Sequence, residues 1–126
     1  MSLRSPLARV LGLGAAGDGP AHWWSQRVSA VALALLAVWF LLSAMSLELG
    51  SQTAVAQWLA EPLHTVLMIL LAGVLAYHSA IGLQVVIEDY TAGWVRVASL
   101  LLSQFYHFLL AAVAIVAILR VAFGVR

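Results

Sequence analysis

The chain has 126 residues, of which 64% are hydrophobic and 9% formally charged. A soluble domain carries about 25% charged residues, and one this small cannot bury so large an apolar share. These proportions exclude an ordinary soluble enzyme, a nucleic-acid-binding domain and a disordered tail, and leave one small domain whose solvent is largely lipid. Cysteine is absent, which excludes disulfides, thiolate-held zinc and iron–sulfur clusters carried by this chain. Any metal or cofactor must be held by His or carboxylate.

The net charge of +1 is uninformative, but the placement of the six Arg and five acidic residues is not. Residues 1–25 form an N-terminal segment in which Gly12 to Pro20 (GLGAAGDGP) reads as a flexible lead-in. The first uncharged gap, Val28 to Leu47, has 20 residues, and a helix is expected over 26–48. It is not a cleaved signal peptide, because the apolar run is too long and a polar, Gly-rich stretch precedes it. Residues 49–61 are too short to span and are expected to hold a loop with a short interfacial helix carrying Trp58. Pro62 suits the first turn of a second helix. The second gap, Pro62 to Ile87, has 26 residues, and the third, Val97 to Leu119, has 23. These give expected helices over 62–87 and 95–120, joined by a tight loop at 88–95. Each gap meets the requirement of about 20 residues for a membrane span.

The expected fold is an all-α integral membrane protein with three transmembrane helices. Its parts are a cytoplasmic segment, 1–25, and a three-helix unit, 26–126. Arg4, Arg9, Arg27 and Arg96 share one side, Arg120 and Arg126 the other, which predicts the N-terminus inside and the C-terminus outside. Trp23, Trp24, Tyr90 and Trp94 would form the inner aromatic belt, with Trp58 at the outer face.

Polar groups within lipid are costly and so mark candidate sites. His64, His78, Gln84 and His107 are such groups, although any His in a span can simply bond a neighbouring helix. His78 has more around it. Gly82 follows at i+4 on the same face and leaves room for a flat, bulky group beside the imidazole. Haem b uses His as an axial ligand. A small-residue helix crossing explains Gly82 equally well. Asp89, eleven residues on, returns to within about 20° of the His78 face, about 16 Å along the axis. One face thus carries His78, Gly82, Val85 and Asp89. A phenol beside a carboxylate, Asp89-Tyr90, can hydrogen-bond a quinone carbonyl, or can be a solvated helix end with an aromatic anchor. His64 reads as an outer interfacial residue rather than a ligand of a second, stacked haem, and His107 as a packing residue, with a second haem contact as the alternative. His22 and Arg27, at the inner start of the first helix, suit an anion, either lipid phosphate or a haem propionate.

Three helices in this length, HWWSQR before the first, and H-S-A-I-G-L-Q-V-V-I-E-D-Y closing the second resemble the smaller of the two membrane-anchor subunits of succinate dehydrogenase (complex II). The resemblance covers roughly residues 20–120 and rests on His78, Gly82, Asp89 and Tyr90. It implies that His78 is an axial ligand of a haem b shared with the larger anchor subunit, which supplies the other His. It implies that Tyr90 hydrogen-bonds ubiquinone with Asp89 in support, and that Arg27 and, more weakly, His22 lie near the haem propionates. Glu88 departs from the pattern, since an uncharged residue often precedes Asp-Tyr. The implied partners are the larger anchor subunit, the iron–sulfur subunit, the flavoprotein subunit and the lipid bilayer, with no nucleic acid. The implied location is the bacterial inner membrane, as a multi-pass protein. The chain would catalyse nothing alone; its complex would pass electrons from succinate to ubiquinone, serving the tricarboxylic acid cycle and respiratory chain. Two alternatives remain at this point: the anchor of a quinol:fumarate reductase, and a non-redox membrane assembly protein.

Overall fold

The computed structural model describes residues 19–124. Arg4, Arg9, Asp18, Arg126 and residues 12–18 of the lead-in lie outside the described residues. The elements are α1 (Gly19–Met45), α2 (Gln52–Ala60), α3 (Pro62–Tyr90) and α4 (Gly93–Ala122), with no strand among the described residues. Helices α1, α3 and α4 are long and apolar enough to cross a membrane. The all-α class, the three spans and the short helix carrying Trp58 are as expected.

The helix ends differ from expectation in an informative way. α1 begins at Gly19 rather than 26 and ends at Met45 rather than 48. The HWWSQR stretch is therefore helical, with Pro20 in the first turn, where its missing N–H costs nothing. α3 runs on to Tyr90 rather than 87, and α4 covers 93–122 rather than 95–120. Uncharged gaps mark the hydrocarbon layer, whereas the backbone keeps its internal hydrogen bonds some way beyond it. Glu88, Asp89 and Tyr90 thus form the last turn of α3, and the connection to α4 is only Thr91–Ala92.

Local chemistry fixes these ends. The Ser51 hydroxyl accepts the Ala54 N–H at 3.2 Å, an N-cap that starts α2. At the end of α3, Thr91 Oγ1 donates to the Ile87 carbonyl at 2.6 Å. Arg96 reaches back, donating from Nε to the Thr91 carbonyl at 2.9 Å and from Nη2 to the Glu88 carbonyl at 2.7 Å. A guanidinium satisfies the orphan carbonyls that every helix C-terminus presents. Gly93, at φ +61°, turns the chain into α4, a conformation open to Gly at no steric cost.

α3 is the centre of a row: α1 packs on one flank and α4 on the other, and no Cα of α1 approaches one of α4 within 8 Å. The buried residues among those described are apolar Leu59, Ala76 and Ile118 and polar Ser29, Thr65 and His107. Half of this small interior is hydrogen-bonding side chains. That fits a lipid-solvated row, where apolar burial gives little drive and close packing with interhelical hydrogen bonds holds the helices.

Candidate functional site

His78 sits on the α1-facing side of α3. Its Nδ1 lies 2.9 Å from the Ser29 hydroxyl of α1, and that hydroxyl lies 3.1 Å from the Gln26 backbone carbonyl. The carbonyl can only accept: with the hydroxyl proton on Gln26 the Ser29 oxygen accepts the Nδ1–H, and with that proton turned to His78 it is Nδ1 that accepts. In the first arrangement the lone pair is on Nε2, and Nε2 forms no hydrogen bond among the described residues.

One turn along, a Cβ placed on Gly82 would lie 3.6 Å from Gln26 Nε2 and would meet no other atom within 4 Å. The neighbour is the tip of a side chain, not the backbone of α1. Gly82 is therefore not the contact point of a tight helix crossing. It lines an open groove of about 760 Å³ together with His22, Trp23, Gln26, Gln84, Val85 and Glu88. Two polar atoms of that lining, His22 Nε2 and Gln26 Oε1, are buried and have no hydrogen-bond partner among the described residues. Leaving such a group unpaired costs about 1–3 kcal/mol, so both are suited to a partner from outside the chain.

The other candidates lie around this seam. Arg27 is exposed, with its guanidinium 5.3 Å from the Trp23 ring centroid. Asp89 and Tyr90 end α3 near the start of α1; Tyr90 is 85% exposed. Glu88 accepts from Gln84 Nε2 at 2.8 Å, so its carboxylate is engaged along its own helix. The structure brings His22, Gly82 and His78 to the α1–α3 seam and leaves Arg27, Asp89 and Tyr90 on the surface at the same end.

The remaining histidines have internal duties. His107 is buried; its Nδ1 lies 2.8 Å from the Ser103 carbonyl and its Nε2 3.1 Å from the Ser79 hydroxyl of α3. Both of its nitrogens are thus engaged within the chain. His64 donates from Nδ1 to the Trp58 carbonyl at 2.8 Å and stacks on the Trp58 ring at 4.4 Å. Trp39 stacks on Trp58 at 5.8 Å, which makes an aromatic cluster at the far end of the row. Sequence reasoning overlooked Ser29 and took no account of the Gln26 amide. Both are polar groups at the edge of the first uncharged gap, three residues apart, and that was the available signal.

The family model for the succinate dehydrogenase/fumarate reductase transmembrane subunit matches residues 1–126. The chain belongs to this family. It is similar to the succinate dehydrogenase hydrophobic membrane anchor subunit of Paracoccus denitrificans, 29% identical over 120 residues, which cover 95% of this chain and 93% of that protein. The protein of the same name from Rickettsia conorii is 30% identical over 88 residues, covering 69% of this chain and 70% of that one. That of Rickettsia typhi is 35% identical over 74 residues, covering 58% of each. No solved structure matches the chain. The chain is thus a membrane anchor subunit of the succinate dehydrogenase family, a multi-pass membrane protein that associates with other subunits of such a complex.

Proposed function

We propose that this anchor serves a succinate:ubiquinone oxidoreductase. In that complex His78 would ligate a haem b shared with the larger anchor subunit, and Tyr90 with Asp89 would form part of the ubiquinone-reduction site. The observation that carries the reading is the state of His78: its Nδ1 is in contact with Ser29 and its Nε2 has no partner among the described residues, one turn from Gly82, which lines a groove with unpartnered polar atoms. A neutral imidazole with one nitrogen held and the other open is what an axial ligand requires.

The residues fit the group. His78 Nε2 offers the lone pair. Gly82 leaves the adjacent helix surface flat. His22 Nε2 and, beyond it, the Arg27 guanidinium can donate to carboxylate groups at the edge of a macrocycle, whereas Gln26 Oε1 can only accept from a donor. The haem, when bound, would supply a one-electron redox centre within the membrane. Tyr90 stands exposed at the end of α3, where its hydroxyl can donate to a quinone carbonyl and Asp89 can hold a proton nearby. The relatives' shared name supports succinate oxidation over the reverse reaction, and family membership favours a respiratory anchor over an assembly protein. In this reading the larger anchor joins this chain to the iron–sulfur and flavoprotein subunits. The N-terminus and the Tyr90 end face the cytoplasm of a bacterial inner membrane.

The test is a reduced-minus-oxidised spectrum of the chain co-expressed with its partners. A b-type α-band is expected, and its survival in His78→Ala would overturn the ligand assignment.

A further inference from the structure

We infer that Ser29 is a positioning residue for His78, fixing its tautomer so that Nε2 is the atom presented for ligation. The inference rests on the haem-ligand reading above and adds a residue and a direction of effect. Ser29 is 6% exposed, so its hydroxyl has no alternative partner in bulk water. Its proton is taken by the Gln26 carbonyl at 3.1 Å, one turn back in the same helix. That carbonyl can only accept, so a hydroxyl proton held there leaves the Ser29 oxygen as the acceptor toward His78. In that arrangement His78 Nδ1 carries its hydrogen and donates it to the Ser29 oxygen at 2.9 Å. With the hydroxyl proton so held, the opposite tautomer would set the Nδ1 lone pair against the oxygen lone pairs of a buried hydroxyl.

The consequence is both geometric and electronic. The ring is held by α1 while its backbone belongs to α3, so the imidazole plane is set by two helices. An Nδ1–H bonded to an acceptor makes the imidazole a stronger donor through Nε2, and losing such a partner typically lowers metal affinity about 10–100-fold. A stronger donor favours the ferric over the ferrous state. Losing the Ser29 oxygen should therefore raise the haem potential. Each tenfold selective loss of ferric affinity corresponds to about 59 mV for a one-electron couple.

The experiment uses the whole complex in its membrane, with Ser29→Ala, Ser29→Thr and His78→Ala, reading haem per complex and the midpoint potential by spectroscopic titration. Ser29→Ala should lower haem retention and move the potential upward, and Ser29→Thr, which keeps the hydroxyl, should restore both. If Ser29→Ala does not assemble, Ser29→Cys, a near-isosteric but weaker acceptor, should shift the potential in the same direction by less. Loss of the band in His78→Ala together with an unmoved potential in the Ser29 variants overturns the role of Ser29 alone. A band that survives His78→Ala overturns the ligand reading and this inference with it. A purely structural Ser29 would change accumulation of the complex without changing the potential of the haem that remains.

Discussion

Gly82→Ala separates the needs of the fold from those of a cofactor. Within the chain the added methyl meets only Gln26 Nε2, at 3.6 Å, an ordinary van der Waals distance to the free end of a flexible side chain. Replacing a helical Gly by Ala also favours the helix by roughly 0.5–1 kcal/mol. The chain alone should therefore fold at least as well. A planar group seated against Gly82 meets the methyl directly, and overpacking of that kind costs about 1–3 kcal/mol. At about 1.4 kcal/mol per tenfold, haem binding should weaken by about 5- to 140-fold. The assay is haem per complex, measured beside the amount of complex accumulated in the membrane. Undiminished accumulation with depleted haem is expected, and Gly82→Val should deplete it further. Full haem in both variants would refute a cofactor contact at Gly82, and loss of the complex in Gly82→Ala would refute the claim that the fold tolerates the methyl.

Other outcomes follow from the same contacts. Tyr90→Phe should lower quinone reduction while succinate oxidation by a soluble dye stays intact; equal loss of both would point to failed assembly. A Ser79→Ala, His107→Ala double-mutant cycle should give a coupling of about 0.6 kcal/mol and not above roughly 1.7, the range for hydrogen bonds between membrane helices, and His107→Ala should leave the haem spectrum unchanged. His64→Ala removes the ring stacked on Trp58 and should alter tryptophan emission without altering haem content. Arg96→Gln frees the Thr91 and Glu88 carbonyls and should cost about 0.3–1 kcal/mol, read as a lower melting temperature of the complex.

Charge spacing made the three spans legible, because a formal charge is the most expensive group to leave in hydrocarbon. It misplaced the helix ends for the same reason. Gly19–Gln26 and Glu88–Tyr90 are polar enough to leave the lipid and remain helical. The helical period placed His78, Gly82, Val85 and Asp89 on one face, and the structure turns His78 and Gly82 of that face toward α1. The partner across the seam was not legible. Which residue of α1 stands opposite His78 depends on the register of two antiparallel helices, and a uniform run of Ala, Val and Leu carries no mark of register. Ser29 and Gln26 become meaningful only once α1 is docked.

Three of the contacts between helices in this row are joined through a histidine: α1 to α3 by His78 and Ser29, α3 to α4 by His107 and Ser79, α2 to α3 by His64 and the Trp58 carbonyl. By sequence the three are near equivalents, single imidazoles in or beside apolar helices. Hydrogen-bond accounting separates them. His107 uses both nitrogens within the chain, and His64 has its ring face against an indole. Of the three, His78 alone combines an engaged Nδ1 and an Nε2 without a partner among the described residues with a glycine one turn away. The row also leaves α1 and α4 apart, so among the described residues no third long helix closes the seam holding His78. A haem ligated there would be enclosed on one side by α1 and α3 alone. In the haem reading proposed above, the larger anchor subunit would cover the opposite side, so a haem so placed would bind the two anchors together as well as carry an electron.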